Sequence, residues 1–196
     1  MLDKTLKQLV ESINAFSLEF KKEPYSYLLE NDIQCALFAK LRKDINQHVD
    51  VVGINEDKYQ LNIINSEYLD RFDICCLNKE KISKIKRADV IQNKGNDDYI
   101  YQLPVLLAIE LKFIWARQRR SFDIFTSDVN KIEQSQFKEK VDYWLSICFI
   151  QTKNAMDWQL ENSNKDYLIS EIATIERLNT SYIVSPKATY KLEKCP

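Results

Sequence analysis

Apolar positions recur at helical spacing over residues 3–20, with Leu6, Leu9, Val10, Ile13 and Phe16 on one side, which predicts a first amphipathic helix. Pro24 ends it. A second helical pattern runs through residues 25–46 by way of Leu29, Ile33, Ala36, Leu37 and Leu41, and it places Glu30 and Gln34 four apart on one face. The period then falls to two. "VDVVGI" and "YQLNIIN" read as short strands on either side of the turn-like "NEDK". "RFDICCL" puts Arg71, Asp73, Cys75 and Leu77 on one face and Phe72, Ile74 and Cys76 on the other. Residues 78–100 are polar and carry the turn signal "NKGNDD", so a loop or extended hairpin is expected before the next strand, "PVLLAIELKF". "SDVNKIEQSQFKEKVDYW" predicts a helix capped by Ser127, with Val129, Ile132, Phe137, Val141 and Trp144 on its buried face. "LSICFIQ" is apolar throughout, as a central or parallel strand would be. A polar loop over 152–165, a short helix near 167–178 and a final strand "SYIVS" complete the expectation.

One strand breaks its own pattern. In "PVLLAIELKF", Val105, Leu107, Ile109, Leu111 and Phe113 share a face, while Glu110 and Lys112 emerge on the other, behind Leu106 and Ala108. Charges in a half-buried place are costly unless they are paired or hold a metal. A structural ion pair and a reactive site are the two readings. Glu-x-Lys by itself is common here, since Glu19/Lys21 and Glu56/Lys58 repeat it, but only Glu110/Lys112 lies in a long apolar strand.

Composition narrows the chemistry. A chain of 196 residues, 45% hydrophobic and 29% charged, fits one folded domain (1–196) rather than disorder. No window has the length of a membrane span, and the N-terminal stretch lacks the apolar core of a signal peptide, so a cytoplasmic protein with no membrane partner is expected. The five cysteines form no C-x-x-C pair, which suits reduced core thiols. The single histidine, His48, lies in a polar stretch and is expected to be a surface or packing residue; having only one histidine disfavours His-based triads and multi-His zinc sites. The two glycines, Gly53 and Gly95, cannot build a phosphate-cradling glycine loop. Any metal must then rest on carboxylates and carbonyls, which suits Mg²⁺ or Mn²⁺.

The net charge of −1 offers no global attraction for nucleic acid, so local sign decides. Basic residues cluster in "NKEKISKIKR" and in "KFIWARQRR", and the second follows directly on the Glu-x-Lys strand. Arg117, Arg119 and Arg120 are therefore the candidate phosphate contacts. Trp115 and Trp158 are candidates for base stacking, whereas the spacing of Trp144 favours core packing.

The order helix, strand, strand, strand, helix, strand, with an acid in the helix, Asp73 in the second core strand and Glu110-x-Lys112 in the third, resembles the PD-(D/E)XK nuclease superfamily. The likeness covers about residues 25–151 and concerns pattern rather than close identity. It implies a restriction-endonuclease-like αβββαβ core: an α/β fold with a central mixed sheet of four to five strands flanked by helices. An extra N-terminal helix and a C-terminal helix and strand would be added to that core.

By the same likeness, Asp73 and Glu110 match the metal-holding acids, and Lys112 the lysine that orients or helps deprotonate the attacking water. Glu30 matches the acid of the first core helix. The Leu111 carbonyl can offer the ion a third oxygen. Phe72 stands where the family's proline would be, Asp70 is a lesser candidate for the acid, and Lys131 and Gln134 correspond to cleft-facing polar residues of a later helix. The function implied is Mg²⁺- or Mn²⁺-dependent hydrolysis of phosphodiester bonds by an endo- or exodeoxyribonuclease. DNA is preferred over RNA by analogy alone, and a homodimer is compatible with cutting both strands. The alternative is a catalytically silent module of the same fold that binds nucleic acid or protein.

Overall fold

The computed structural model of the chain describes residues 4–52, 58–68, 72–85, 103–115, 138–161 and 167–194. Helix α1 (Lys4–Lys22) buries Leu6, Leu9, Ile13, Phe16 and Phe20 at alternating steps of three and four, the apolar stripe its sequence predicts. Helix α2 (Glu30–Ile45) buries Ile33, Leu37, Leu41 and Ile45. It begins five residues later than its apolar pattern suggests. Pro24–Ser26 form a 3₁₀ turn and the chain is extended at Tyr27 and Leu29. The Asp32 carboxylate then accepts the N–H groups of Leu28 and Leu29, each at 2.9 Å, and so fixes the start of the helix at Glu30.

Among the described residues nine strands follow: β1 (His48–Val52), β2 (Lys58–Asn62), β3 (Ile64–Tyr68), β4 (Phe72–Leu77), β5 (Val105–Ile114), β6 (Val141–Ile150), β7 (Tyr167–Ile172), β8 (Thr180–Val184) and β9 (Thr189–Lys194). Strands β1 and β2 form a separate antiparallel hairpin. The other seven make one sheet in the order β3-β4-β5-β6-β8-β9-β7. It is mixed: β5, β6 and β8 run parallel, while β3, β4, β9 and β7 are joined antiparallel on either side. The fold is thus α/β, a mixed sheet flanked by helices, with seven strands where four or five were expected.

Each added strand has a local cause. "YQLNIIN" is cut in two because Asn62 turns the chain: its side-chain oxygen accepts the Ile64 N–H at 2.8 Å and its carbonyl accepts from the Asn65 amide at 2.9 Å. Val141 and Trp144 lie in β6, not in a helix, since β6 pairs with β5 along its whole length from Val105↔Val141 to Ile114↔Ile150. Its start is rich in aromatic and β-branched residues, which a ladder accommodates well.

The segment expected as a polar loop holds helix α4 (Lys153–Glu161), whose first turn is capped by the Thr152 hydroxyl accepting from Ala155 N–H at 3.0 Å. Residues 167–172, expected as helix, form edge strand β7 against β9. "SYIVS" is β8 and is not the last strand, because a turn at Ser185–Ala188 leads back into β9. A short helix, α3 (Lys79–Ile82), opens the segment after β4, with Asn78 accepting from the Lys81 N–H. Within it, the expected turn at residues 93–98 lies outside the described residues, as do the Ser127 cap and Val129, Ile132 and Phe137 of the helix expected after β5.

Helices α1 and α2 cover the sheet face that carries Ile109, Leu111 and Phe113 of β5 and Leu145, Ile147 and Phe149 of β6. The aromatic contacts fix that side: Phe149 packs edge-on against Phe16 and Phe20, at 5.6 and 4.9 Å between ring centroids. On the other face Ile114, Cys148, Ile150 and Ile183 pack with Ala155 and Met156 of α4. Cys75, Cys76 and Cys148 are buried and outside any disulfide, as the cysteine pattern predicts, whereas Cys35 is exposed and not a core thiol. His48 is exposed. No helix among the described residues is long and apolar enough to cross a membrane.

Candidate active site

The alternation of β5 sends Glu110 and Lys112 to the face opposite α1 and α2. Pairing of β4 with β5 runs through Cys75↔Ala108 and Ile74↔Ile109, so the next step sets Asp73 beside Glu110 on that same face. The ladder goes no further. From here the N–H groups of β5 that point toward β4 are taken by carboxylates instead of carbonyls: Leu111 N–H donates to Asp73 Oδ2 at 2.6 Å, and Phe113 N–H to Glu30 Oε2 at 2.9 Å. The two strands part, and acidic side chains close the gap.

Strand β3 is interrupted at the same level. Ser66↔Ile74 and Tyr68↔Phe72 pair, while Glu67, which faces Asp73 between them, adopts a left-handed φ of 50°. A non-glycine residue held there costs on the order of 1–3 kcal/mol. Asp73 therefore stands at a break in the ladder on both of its sides.

Glu30 arrives from the first residue of α2, and the chain before it is anchored. The Gln151 amide at the end of β6 donates to the carbonyl of Tyr27 at 2.9 Å and to that of Pro24 at 3.3 Å. One helical turn after Glu30, the Gln34 amide donates to the Asp73 carbonyl at 3.0 Å. These bonds tie α2, β4 and β6 together around the strand ends. The Lys112 ammonium lies 3.4 Å from Glu30 Oε2, and both side chains are about one-third exposed or less. Glu110 is only 8% exposed. The four residues singled out from sequence, Glu30, Asp73, Glu110 and Lys112, thus gather where β4 and β5 part.

Next to Asp73 and Glu110 sits the buried Cys75 thiol. Burial pushes its pKa well above the ordinary range, and the neighbouring Cys76, Glu110 and Asp73 push it further the same way. Such a thiol stays protonated at neutral pH, which makes it a weak nucleophile. The candidate donors picked out by the strand pattern are oxygens.

Do these oxygens suit a divalent ion? Among the described residues no three His, Cys, Asp or Glu side chains form a group that could hold one. Asp73 and Glu110 make a pair, with the Leu111 carbonyl as the further oxygen the sequence suggested. Glu30 is engaged by Lys112 and the Phe113 N–H. Mg²⁺ is commonly held by one or two carboxylates, with waters and substrate phosphate filling its octahedron, so a pair suffices. An ionised carboxylate has about four lone-pair sites, which lets Asp73 accept the Leu111 N–H and still ligate. The residues present fit a hard cation.

Two contributors escaped the sequence reading. The pattern of "LSICFIQ" marks Gln151 only as the end of a strand, and its role as an anchor depends on which turn folds against it. Ser146, in β6, is the register partner of Glu110 and is 1% exposed. Among the described residues its hydroxyl has no hydrogen-bond partner, a situation that costs about 1–3 kcal/mol. The signal available was a lone hydroxyl in an apolar strand, the same kind of break that drew attention to Glu110.

Arg117, Arg119, Arg120, Lys131, Gln134 and Asp70 lie outside the described residues. Trp115, at the end of β5, is 55% exposed, whereas Trp144 is half-buried against the main core. A cavity of about 400 Å³ lined by Lys4, Gln47, Asn78, Lys79 and Leu106 lies beside the start of β5, and none of the four candidate site residues lines it. Comparison with protein-family models, with curated proteins and with solved structures gave no match.

Proposed function

We propose that this protein is a divalent-metal-dependent nuclease with a PD-(D/E)XK-type site, hydrolysing phosphodiester bonds of nucleic acid, with DNA the preferred substrate class. The observation that carries the reading is the parting of β4 and β5 at Asp73 and Glu110, with Lys112 tethered to Glu30 at the same opening. Asp73, Glu110 and the Leu111 carbonyl would hold Mg²⁺ or Mn²⁺. That ion would supply neutralisation of the phosphate's developing charge and a more acidic water. The chain's own part is orientation. Lys112 offers an ammonium to the phosphate or to the attacking water, and Glu30 keeps that ammonium at the strand end. The Leu111 N–H holds the Asp73 carboxylate in one rotamer. Water then attacks phosphorus, the bond to the leaving oxygen breaks, and that oxygen takes up a proton.

A second reading rests on the same bonds. Asp73 and Glu30 each satisfy a backbone N–H of β5, so the carboxylates have a structural use even in a non-catalytic module. Metal response separates the two. An ion binding only the folded protein at about 100 times its Kd stabilises it by about 2.7 kcal/mol. We expect Mn²⁺ or Mg²⁺ to raise the melting temperature of the parent, and Asp73→Asn to abolish that rise while the metal-free protein stays folded. We also expect digestion of duplex, branched or single-stranded DNA in the presence of the ion. A parent that neither responds to divalent ions nor cuts any of these substrates, or RNA, leaves the structural reading standing.

A further inference from the structure

We infer that Ser146 is a positioning residue of this site, acting on Glu110 when a divalent ion is bound; the inference rests on the metal-dependent reading above. Strand β6 runs parallel to β5 with Glu110↔Ser146 in register, so the two side chains leave the same face of the sheet on strands about 4.8 Å apart. Asp73, Glu110 and Ser146 therefore form one row across three adjacent strands, two acids and then a hydroxyl.

The hydroxyl stands out against three other buried serines. Ser12 donates to Asp44 at 2.6 Å, Ser17 to the Ile13 carbonyl at 2.9 Å, and Ser185 to the Ala188 carbonyl at 3.1 Å. Ser146 is 1% exposed, and among the described residues its Oγ has no partner. Native interiors rarely leave a buried hydroxyl without a use.

Serine has three staggered χ1 wells, so a rotation of its side chain re-aims the hydroxyl without moving the strand. A ligating carboxylate is itself held by hydrogen bonds, and loss of a partner that holds a metal ligand typically costs about 10–100-fold in metal affinity. Ser146 is the donor in position to do this for Glu110. It touches neither phosphate nor attacking water in this scheme.

Ser146→Ala tests the inference by two readouts. Because the substitution removes a hydroxyl with no partner, the metal-free melting temperature should be unchanged or higher. Mn²⁺ affinity measured by calorimetry should fall about tenfold or more. Ser181→Ala, one strand further along the same row, should leave Mn²⁺ affinity at the parental value. Two results overturn the inference while the nuclease reading survives: Ser146→Ala binding Mn²⁺ as the parent does, or Ser181→Ala weakening it equally, which would mark a general packing effect. A parent protein that binds no Mn²⁺ overturns the reading itself and the inference with it.

Discussion

Strands β5 and β6 present two unlike faces built from the same twenty residues. Toward α1 and α2, Ile109, Leu111, Phe113, Leu145, Ile147 and Phe149 are all apolar and buried, and the Phe16, Phe20, Tyr27 and Phe149 rings interlock there. On the reverse, Ala108, Glu110 and Lys112 run beside Trp144, Ser146 and Cys148, mixing small, charged and hydroxyl-bearing side chains. The first face is a packing surface. The second leaves a notch where strand pairing ends and carboxylates take over the ladder's acceptors. One strand can serve both purposes because its side-chain period is two: core residues and site residues never compete for a position. The charges within "PVLLAIELKF" are thus confined to the reverse face, at its far end.

The largest effect should come from damaging the packing face. Phe149→Ala removes the ring that joins α1 to the sheet, and a buried aromatic lost in this way costs about 3–5 kcal/mol. Urea unfolding should register that loss, while the protein that remains folded keeps the parental affinity for Mn²⁺. If ion affinity collapses together with stability, the two faces are not separable and the comparison breaks.

Lys112→Met probes the reverse face, and its effect should appear in rate. If the ammonium acts on the phosphate or the attacking water, its loss should cost on the order of 10²-fold in cleavage at saturating substrate, about 2.7 kcal/mol in the barrier. Lys112→Arg keeps the charge but not the compact, titratable ammonium, so it should restore stability without restoring rate. Parental cleavage by Lys112→Met would return this lysine to the status of a counter-charge for Glu30.

How far did the sequence lead? Helix α1 is legible from its helical period, and strands β4, β5 and β8 from short apolar runs bounded by polar residues. The errors share a cause, which is that long-range pairing decided what local pattern left open. Val141 and Trp144 fit helical spacing after Phe137, yet the ladder with β5 claims them. "YLISEI" alternates weakly, and only β9 makes it a strand. "KNAMDWQLE" carries its buried Ala155 and Met156 side by side, too few to mark a helix face without the α4 packing. At the candidate site, Asp73, Glu110 and Lys112 were visible as polar interruptions of apolar strands, and Glu30 through its place in the second helical pattern. What sequence could not supply was the parting of β4 from β5, or Ser146 as the neighbour of Glu110. Both depend on register between strands separated by dozens of residues.

The smallest change in stability should come from Glu30→Gln, and it divides the two uses of that carboxylate most finely. Glutamine keeps a side-chain oxygen that can accept the Phe113 N–H, so the end of β5 retains its acceptor. Only the charge facing Lys112 is lost. That pair spans 3.4 Å with side chains 26% and 37% exposed, and a screened pair of this kind contributes less than about 1 kcal/mol. Glu30→Ala should cost more, because it also strips the acceptor from a backbone donor, adding about 1–3 kcal/mol. Rate should not follow stability in this series. If Glu30 keeps the Lys112 ammonium in line with the phosphate, Glu30→Gln should slow cleavage about tenfold or more while the melting temperature barely moves. In a Lys112→Met background the same substitution should slow it no further, since residues that act as one unit are non-additive. Glu30→Gln cutting at the parental rate would assign the carboxylate to holding up β5, and the reactive face would then end at Lys112.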